Sequence, residues 1–374
     1  MVPALTTLTS KKRPCDSNLE EKLQKILVEG SAAAREWKGL STLAFDITSL
    51  DEEDLIPMTL RLIVMHDLAA KFSITANTWA EFMTSVKELM HPNPYHNFQH
   101  ICAVSQTTSA IIGDNNLSGK LSDLEKFTLI ISALLHDLGH PGKNNAYQVN
   151  AGTELAVIYN DISVLENHHC ATSSRLMVES GILNGVQAEL KKQVRTNFID
   201  VVLATDMTKH FDINGELSKF NESPERQASL SATDRQLIMK SVLHMADISN
   251  PAKEWSLCKL WSDRISAECF EQGDAEKREG LPVSPMCCRN TTFQDEISFG
   301  FFDFIVAPYL FNVACLAPCT LIPACRVLAI NRDIWHNMLA ARIGNDDEKM
   351  KPWTTKRDTF VDKIEALLAK FPAY

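Results

Sequence analysis

The sequence predicts an all-α fold: one compact, many-helix domain running from Leu19 to the C-terminus. Three observations predict it. Apolar residues recur at helical spacing, helix start and stop signals bracket the apolar runs, and alternating β-branched strand patterns are scarce. With 374 residues, 45% hydrophobic and 22% charged, the chain has an ordinary globular composition and ample core.

In chain order, residues 1–18 are polar and aperiodic and read as a flexible lead. LEEKLQKIL, from Leu19, spaces leucine and isoleucine for one helix face. Pro92 and Pro94, ahead of HNFQH, favour the first turn of a helix. Ser122 and Glu125 form a capping-box signature before FTLIISALLHDLGH, which stops at Pro141-Gly142. DRQLIMKSVLHMADISNP follows the same grammar and ends at Asn250-Pro251. The Asn-Gly pairs at Asn184 and Asn214 are placed in loops. Phe299 to Ile330 is strongly apolar but interrupted by Asp303, Pro308, Pro318, Pro323 and Arg326, so no clean run of about 20 apolar residues is expected. That segment reads as a buried helix broken by prolines, with no membrane span.

The balance of 37 Lys+Arg against 47 Asp+Glu gives a net charge of −10 without a basic block, which argues against a nucleic-acid polymer as partner. A small phosphate ester stays open as substrate, since bound metal ions invert local charge. Ten cysteines lack zinc-finger spacing and are read as buried free thiols in a reducing, cytoplasmic compartment. Cys315 and Cys319 are accordingly assigned to the core. The N-terminus has no signal-peptide pattern.

The chemistry is carried by HNFQH (from His96), HDLGHPGKNN (from His136), LENHH (from Leu165), LATDM (from Leu203) and ADISNP (from Ala246). His96 and His100 stand one turn apart, as do His136 and His140, so each pair projects from one face. Asp137 lies about 100° round from His136 and can serve a second ion. Asp247, near the end of another apolar helix, can close the site. His100, His136, Asp137 and Asp247 are read together as a metal site. Two nitrogens and two carboxylates suit zinc; a second ion on one shared carboxylate and waters suits magnesium or manganese. His210 and His244 are read as core hydrogen-bonding residues, and Asp206 fits either a site or a helix terminus.

At these residues the chain resembles the catalytic domain of the class I cyclic-nucleotide phosphodiesterases, a branch of the HD-domain metal hydrolases. YHNFQH, HDLGHPGKNN, LENHH, LATDM, ADISNP and VSPM run in the family's order. The resemblance implies a domain of about sixteen helices that hydrolyses 3′,5′-cyclic nucleotides to 5′-monophosphates, with cyclic AMP as substrate and cyclic GMP left open. It implies His100, His136, Asp137 and Asp247 as zinc ligands, with Asp137 shared with magnesium or manganese. His96 matches the residue that protonates the leaving 3′ oxygen, held by a carboxylate such as Glu254 or Glu166. His140, Glu166 and Asn97 match positions that orient ligands or bound water. Tyr95 and Asn250 match the substrate pocket, and Ile265 and Phe301 the two apolar faces that clamp the base.

The chain departs from the family in that pocket. Ser298 stands where relatives carry a purine-reading glutamine, with Gln294 four residues earlier, and Cys258 stands where many carry an aromatic. Nucleotide selectivity is therefore open. The competing readings are an HD phosphohydrolase for another nucleotide or phosphate ester, and a catalytically weak nucleotide-binding module. Regulatory domains in a longer parent chain fit any of the three.

Overall fold

A computed structural model describes residues 17–30, 37–344, 361–367 and 369–371. Residues 1–16 of the expected N-terminal lead lie outside them. The Ser17–Glu29 helix begins two residues before the expected Leu19 boundary, with Ser17 and Asn18 in its first turn. Up to Ile343 the described residues form seventeen α-helices joined by short turns, with no β-strand among them.

The centre of the molecule is the packed pair Phe98–Ile112 and Asp123–Leu135. Every residue of the first except Gln99 is buried, and eleven of thirteen in the second are. A helix apolar on all sides can only be a core helix. Several of the polar side chains it carries bond to backbone carbonyls: Gln106 Nε2 donates to Leu40 O and Thr42 O at 2.7 and 2.8 Å, and Ser105 Oγ to Cys102 O at 2.8 Å. Glu52–Met65, Ala188–Leu203 and Ala232–Asp247 pack around this pair. Both helices whose C-terminal ends carry site residues start from complete capping boxes, Ser122 with Glu125 and Ser231 with Asp234. Such a box satisfies two otherwise orphaned backbone donors and fixes where the helix begins.

Two sequence expectations need correction. Asn214-Gly215 is not a loop but lies inside the His210–Asn221 helix. Its Asn214 Oδ1 accepts a bond from Asn312 Nδ2 at 2.8 Å, a tertiary contact that overrides the local turn preference. The apolar segment is also more continuous than expected. Helix Gln294–Phe301, a π-turn at Phe302–Val306 and helix Ala307–Ala314 run on without a break. The stretch Gln294–Ala314 is long and apolar enough by composition to cross a membrane, and half of it is buried in the protein. Pro308 does not break it because it follows the π-turn, where the normal hydrogen-bond ladder is already interrupted. Asp303 is tolerated there because it pairs with buried Arg332 at 2.7 Å.

Trp255–Glu279, the 25-residue helix that flanks the site, places Glu268, Gln272 and Glu276 at successive i, i+4 positions on one face. All three are buried. They bind three separate loops, and through those loops the helix positions the site.

Candidate metal centre

Each ligand candidate sits at a helix end. Asn97 is the N-cap of Phe98–Ile112: its side chain accepts from His100 N at 3.1 Å, and its amide donates to Asn93 O at 2.9 Å. That cap sets His100 in the first turn, facing inward. Asn97 therefore acts on the backbone of His100 rather than on its ring. His136 is the C-cap of Asp123–Leu135, and Asp137 follows in the turn. The His136 Nδ1–H donates to Ala133 O at 2.9 Å, which leaves Nε2 to face the site. Asp247 is the last residue of Ala232–Asp247.

These four converge, with one donor atom from each lying within 4.8 Å of every other. His100 Nε2 stands 3.3 Å from Asp137 Oδ2 and 3.2 Å from Asp247 Oδ1, and His136 Nε2 stands 3.3 Å from each. A tetrahedron with bonds of about 2.0–2.1 Å has edges of about 3.3–3.4 Å, so the spacing fits one zinc-sized ion. His100 Nε2 is buried without a hydrogen-bond partner. Burial opposes charge on His136, yet the Asp137 and Asp247 carboxylates raise it to about 9. Despite the same burial, the His136 charge holds Asp137 and Asp247 below the usual carboxylate range. The pocket stabilises positive charge, and a divalent cation meets that requirement as well as a proton does.

His96 lies beside this cluster, its ring 5.6 Å from that of His100. Its Nδ1–H donates to Glu268 Oε1 in a very short contact, and Glu268 Oε2 accepts from the backbone N–H groups of His96 and Tyr95 at 3.0 and 2.9 Å. The carboxylate on His96 is thus Glu268, and the expectation of Glu254 or Glu166 is corrected. Glu254 is exposed at the start of the same helix, almost four turns from Glu268. Glu166 is occupied by Asn145 Nδ2, at 3.2 and 3.0 Å from its two oxygens. Burial would lower the His96 imidazole, but the Glu268 charge and hydrogen bond raise it to about 9. His140 stacks on His96 with ring centroids 4.0 Å apart. It stays neutral, lowered by burial and then by the His96 charge, and its Nδ1 accepts from Gly142 N at 3.0 Å.

The loops are tied to one another. Asn93 Nδ2 donates to His96 O at 2.9 Å and His140 O at 2.8 Å, joining the two histidine strings. Gly142, at φ +68°, makes room for it, since a Cβ there would lie 2.7 Å from Asn93 Oδ1. Gln272 exchanges bonds with Asn144, and Glu276 accepts from Ser284 N, Ser284 Oγ and Gln272 Nε2. The VSPM string therefore anchors its loop to the long helix. Asn93, Glu268, Gln272 and Glu276 lie outside the sequence reading, because a single Asn, Gln or Glu carries no spacing signal. His169 was visible in LENHH: its Nδ1–H donates to Leu138 O at 2.9 Å and its Nε2 lies 3.7 Å from Asp137 Oδ1. Burial holds it neutral, at about 4.

The remaining candidates are more dispersed. Asn250 Nδ2 donates to Tyr95 Oη at 2.8 Å. Glu166 is raised to about 7 by burial, with the Asp206 and Asp137 charges adding to it. Asp206 caps the Met207–Lys209 turn, its oxygens accepting from Ser163 Oγ at 2.6 Å and Thr208 N at 2.9 Å. His210 and His244 pair in the core, Nδ1 to Nε2 at 2.9 Å. Ser298 is buried with Oγ 3.0 Å from Ser262 Oγ, which in turn accepts from Gln294 Nε2 at 3.0 Å. Gln294 also donates to Asp263 at 2.7 Å, so its amide is already engaged. Ile265 and Phe301 are half-buried on separate helices, and Cys258 is buried in the core.

Comparison with known proteins agrees with this geometry. The family described as 3′5′-cyclic nucleotide phosphodiesterase matches residues 95–322. The chain is 36% identical over 263 residues to a rat protein named 3′,5′-cyclic-AMP phosphodiesterase 4C, covering 68% of this chain and 49% of that one. It is 36% identical over 274 residues to the Dictyostelium discoideum 3′,5′-cyclic-nucleotide phosphodiesterase regA, covering 72% of this chain and 34% of that protein. A mouse protein named dual specificity calcium/calmodulin-dependent 3′,5′-cyclic nucleotide phosphodiesterase 1C is 35% identical over 280 residues, covering 72% and 39%. The match spans half or less of each relative's length. Since the family match over residues 95–322 includes every histidine and aspartate string that builds the site, this chain belongs to the 3′,5′-cyclic nucleotide phosphodiesterase family.

Proposed function

We propose that this chain hydrolyses 3′,5′-cyclic nucleotides to nucleoside 5′-monophosphates, with zinc held by His100, His136, Asp137 and Asp247 and a magnesium or manganese ion sharing Asp137. One observation carries the reading: a four-donor cluster at tetrahedral spacing stands beside an imidazole whose charge is fixed by a carboxylate. A bound divalent cation supplies Lewis acidity and a water nucleophile at neutral pH. The chain supplies the other half of the reaction. The departing ribose oxygen needs a proton, and His96 is positioned to give it. With Nδ1–H committed to Glu268, Nε2–H is the free donor, and the raised pKa keeps it loaded near pH 7. His140, neutral and stacked on the ring, restricts its rotation.

The relatives' names include a cyclic-AMP enzyme and a dual-specificity one, so the family allows either base. Here the base-reading position holds Ser298, tied to Ser262, and the reading that follows is weak affinity with poor discrimination and a slight lean to cyclic AMP through Asn250. The nine described cysteines are free thiols, which supports a reducing, cytoplasmic setting. The greater length of the relatives supports regulatory domains in a longer parent chain. The test is metal analysis of the purified protein together with hydrolysis assays on cyclic AMP and cyclic GMP. Stoichiometric zinc with turnover of at least one nucleotide is expected; full zinc with turnover of neither would overturn the reading.

A further inference from the structure

A cavity of about 630 Å³ lies apart from the metal centre and shares no residue with it. Its walls come from residues 41–44, the end of Glu52–Met65, the second half of Phe98–Ile112, the turn at 252–254 and the first turns of Pro318–Ile343. Leu43, Met65, Pro323 and Val327 give it apolar surface. Its volume falls within the ~300–1,000 Å³ of ordinary small-molecule sites.

Lys253 is the buried cation of that wall, which also carries Asp114 and Glu254. It is 3% exposed, and the one side-chain hydrogen bond it makes among the described residues runs from Nζ to Thr107 Oγ1 at 3.2 Å. An ammonium has three donors, so two are left without a protein acceptor. The nearby acids do not take them. Asp114 accepts from the backbone N–H groups of Asn116 and Thr320 at 2.9 and 2.8 Å, and Asp46 accepts from Thr48 N at 2.8 Å. Glu254 is exposed. His66 bonds Ser109 Oγ at 2.9 Å and is neutral, lowered to about 4 chiefly by burial. Burial also lowers Lys253, to about 8, with the Asp46 charge working against the fall. A buried cation without a paired anion is costly unless something else supplies the anion.

We propose that this cavity is a second binding site, for a small organic carboxylate whose charged end meets Lys253 and whose apolar body lies along Leu43, Met65 and Pro323. One cation with Asp114 and Glu254 in the same wall favours a singly charged ligand over a phosphate dianion.

The probe is hexanoate, with hexanamide as its uncharged counterpart, titrated calorimetrically into the full chain at pH 7. Hexanoate is expected to bind at one site at least tenfold more tightly than hexanamide, and Lys253→Met to erase that tenfold preference with metal content unchanged. Ala324→Phe, which adds bulk to the cavity from the Pro318–Ile343 helix while leaving Lys253 in place, should weaken hexanoate by a similar factor. Should Lys253→Met fail to fold, the wild-type comparison and Ala324→Phe decide. Equal binding of the two probes, no hexanoate binding, or hexanoate binding that survives Ala324→Phe (as a carboxylate lodged on the metal cluster would) overturns the proposal.

Discussion

Glu268 holds His96 at two points, taking the ring Nδ1–H on one oxygen and the backbone N–H on the other at 3.0 Å. One carboxylate therefore fixes the ring's charge, its tautomer and the path of the chain that carries it. The neighbouring Tyr95 N–H on the same oxygen extends that hold to the residue bonded to Asn250. A general acid is useful only if it is both loaded and aimed, and in the role proposed for His96 the same Glu268 side chain would do both.

Glu268→Gln keeps the shape and removes the charge. The His96 pKa should fall from about 9 toward the ordinary 6.5, carrying the alkaline limb of kcat/KM down with it. Stability follows the same linkage. A raised histidine pKa contributes stability that is complete below 6.5 and lost as pH rises through about 9. Glu268, lowered to about 2 despite burial, contributes stability that is complete above 4.5 and lost as pH falls through about 2. The difference in melting temperature between wild type and Glu268→Gln should thus be greatest between pH 4.5 and 6.5 and shrink by pH 9.5. An alkaline limb that does not move would remove Glu268 from this role.

His96→Ala should lower turnover by about 10²–10⁴-fold while zinc content stays near normal, because His96 is outside the four-donor cluster. A substrate whose leaving group needs no proton should be spared much of that loss. Equal losses on both substrates would show that His96 is not the acid.

Asp137→Ala and Asp247→Ala should each abolish hydrolysis and sharply reduce bound zinc, measured by atomic emission. Each leaves His136 without one of the two charges that raise it. A chelator should lower the wild-type melting temperature, by the equivalent of about 4 kcal/mol if free metal had stood a thousandfold above its dissociation constant. The same chelator should scarcely affect Asp247→Ala. An Asp137→Ala protein with normal metal and normal turnover would sink the assignment.

Much of this architecture is legible in the chain, for physical reasons that are local. Ser122 and Glu125 announce a helix start because capping is a contact between neighbours. The four-residue spacing in HNFQH and HDLGH marks both histidine strings, but not by a shared helix face: His96 precedes the N-cap Asn97 and His140 follows the turn after the C-cap His136, so the loops rather than the helix repeat bring each pair together. Glu268 is not legible, since its partner lies 172 positions away and nothing in DRISAECF marks it. Asn214 misleads for the same reason in reverse: a strong local turn signal yields to a bond with Asn312, 98 positions on. The π-turn at Phe302–Val306 lets Pro308 sit within a continuous helix, and no residue pattern announces it.

Glu276 offers a test of the scaffold without touching the cluster. It is fully buried and accepts from Ser284 N, Ser284 Oγ and Gln272 Nε2. Glu276→Ala removes the acceptor of both Ser284 donors, while Gln272 Nε2 keeps Asn144 Oδ1, and should cost about 1–3 kcal/mol or more in denaturant unfolding. Ser284→Ala removes one donor and should cost less. A neutral Glu276→Ala would mean that the VSPM loop is held by other contacts.

The proposed role of Ser298 in base recognition can be tested directly. A glutamine amide donates and accepts at once and can pair with either purine edge, whereas a serine hydroxyl is too short for that two-point contact. Here Ser298 Oγ is moreover turned to Ser262 Oγ at 3.0 Å, and Gln294, the nearest amide, is spent on Ser262 and Asp263. Stacking on Phe301 would then carry a larger share of recognition, with base–aromatic contacts worth ~1–3 kcal/mol each. Wild type should therefore show a weak KM and little preference between cyclic AMP and cyclic GMP. Ser298→Gln should lower KM for at least one of them with metal content unchanged. Ser262→Ala provides the control, since it frees Ser298 without supplying an amide and should leave KM within about twofold. A wild-type KM that is already tight, and that Ser298→Gln weakens, would show that Ser298 does not occupy the base-reading position.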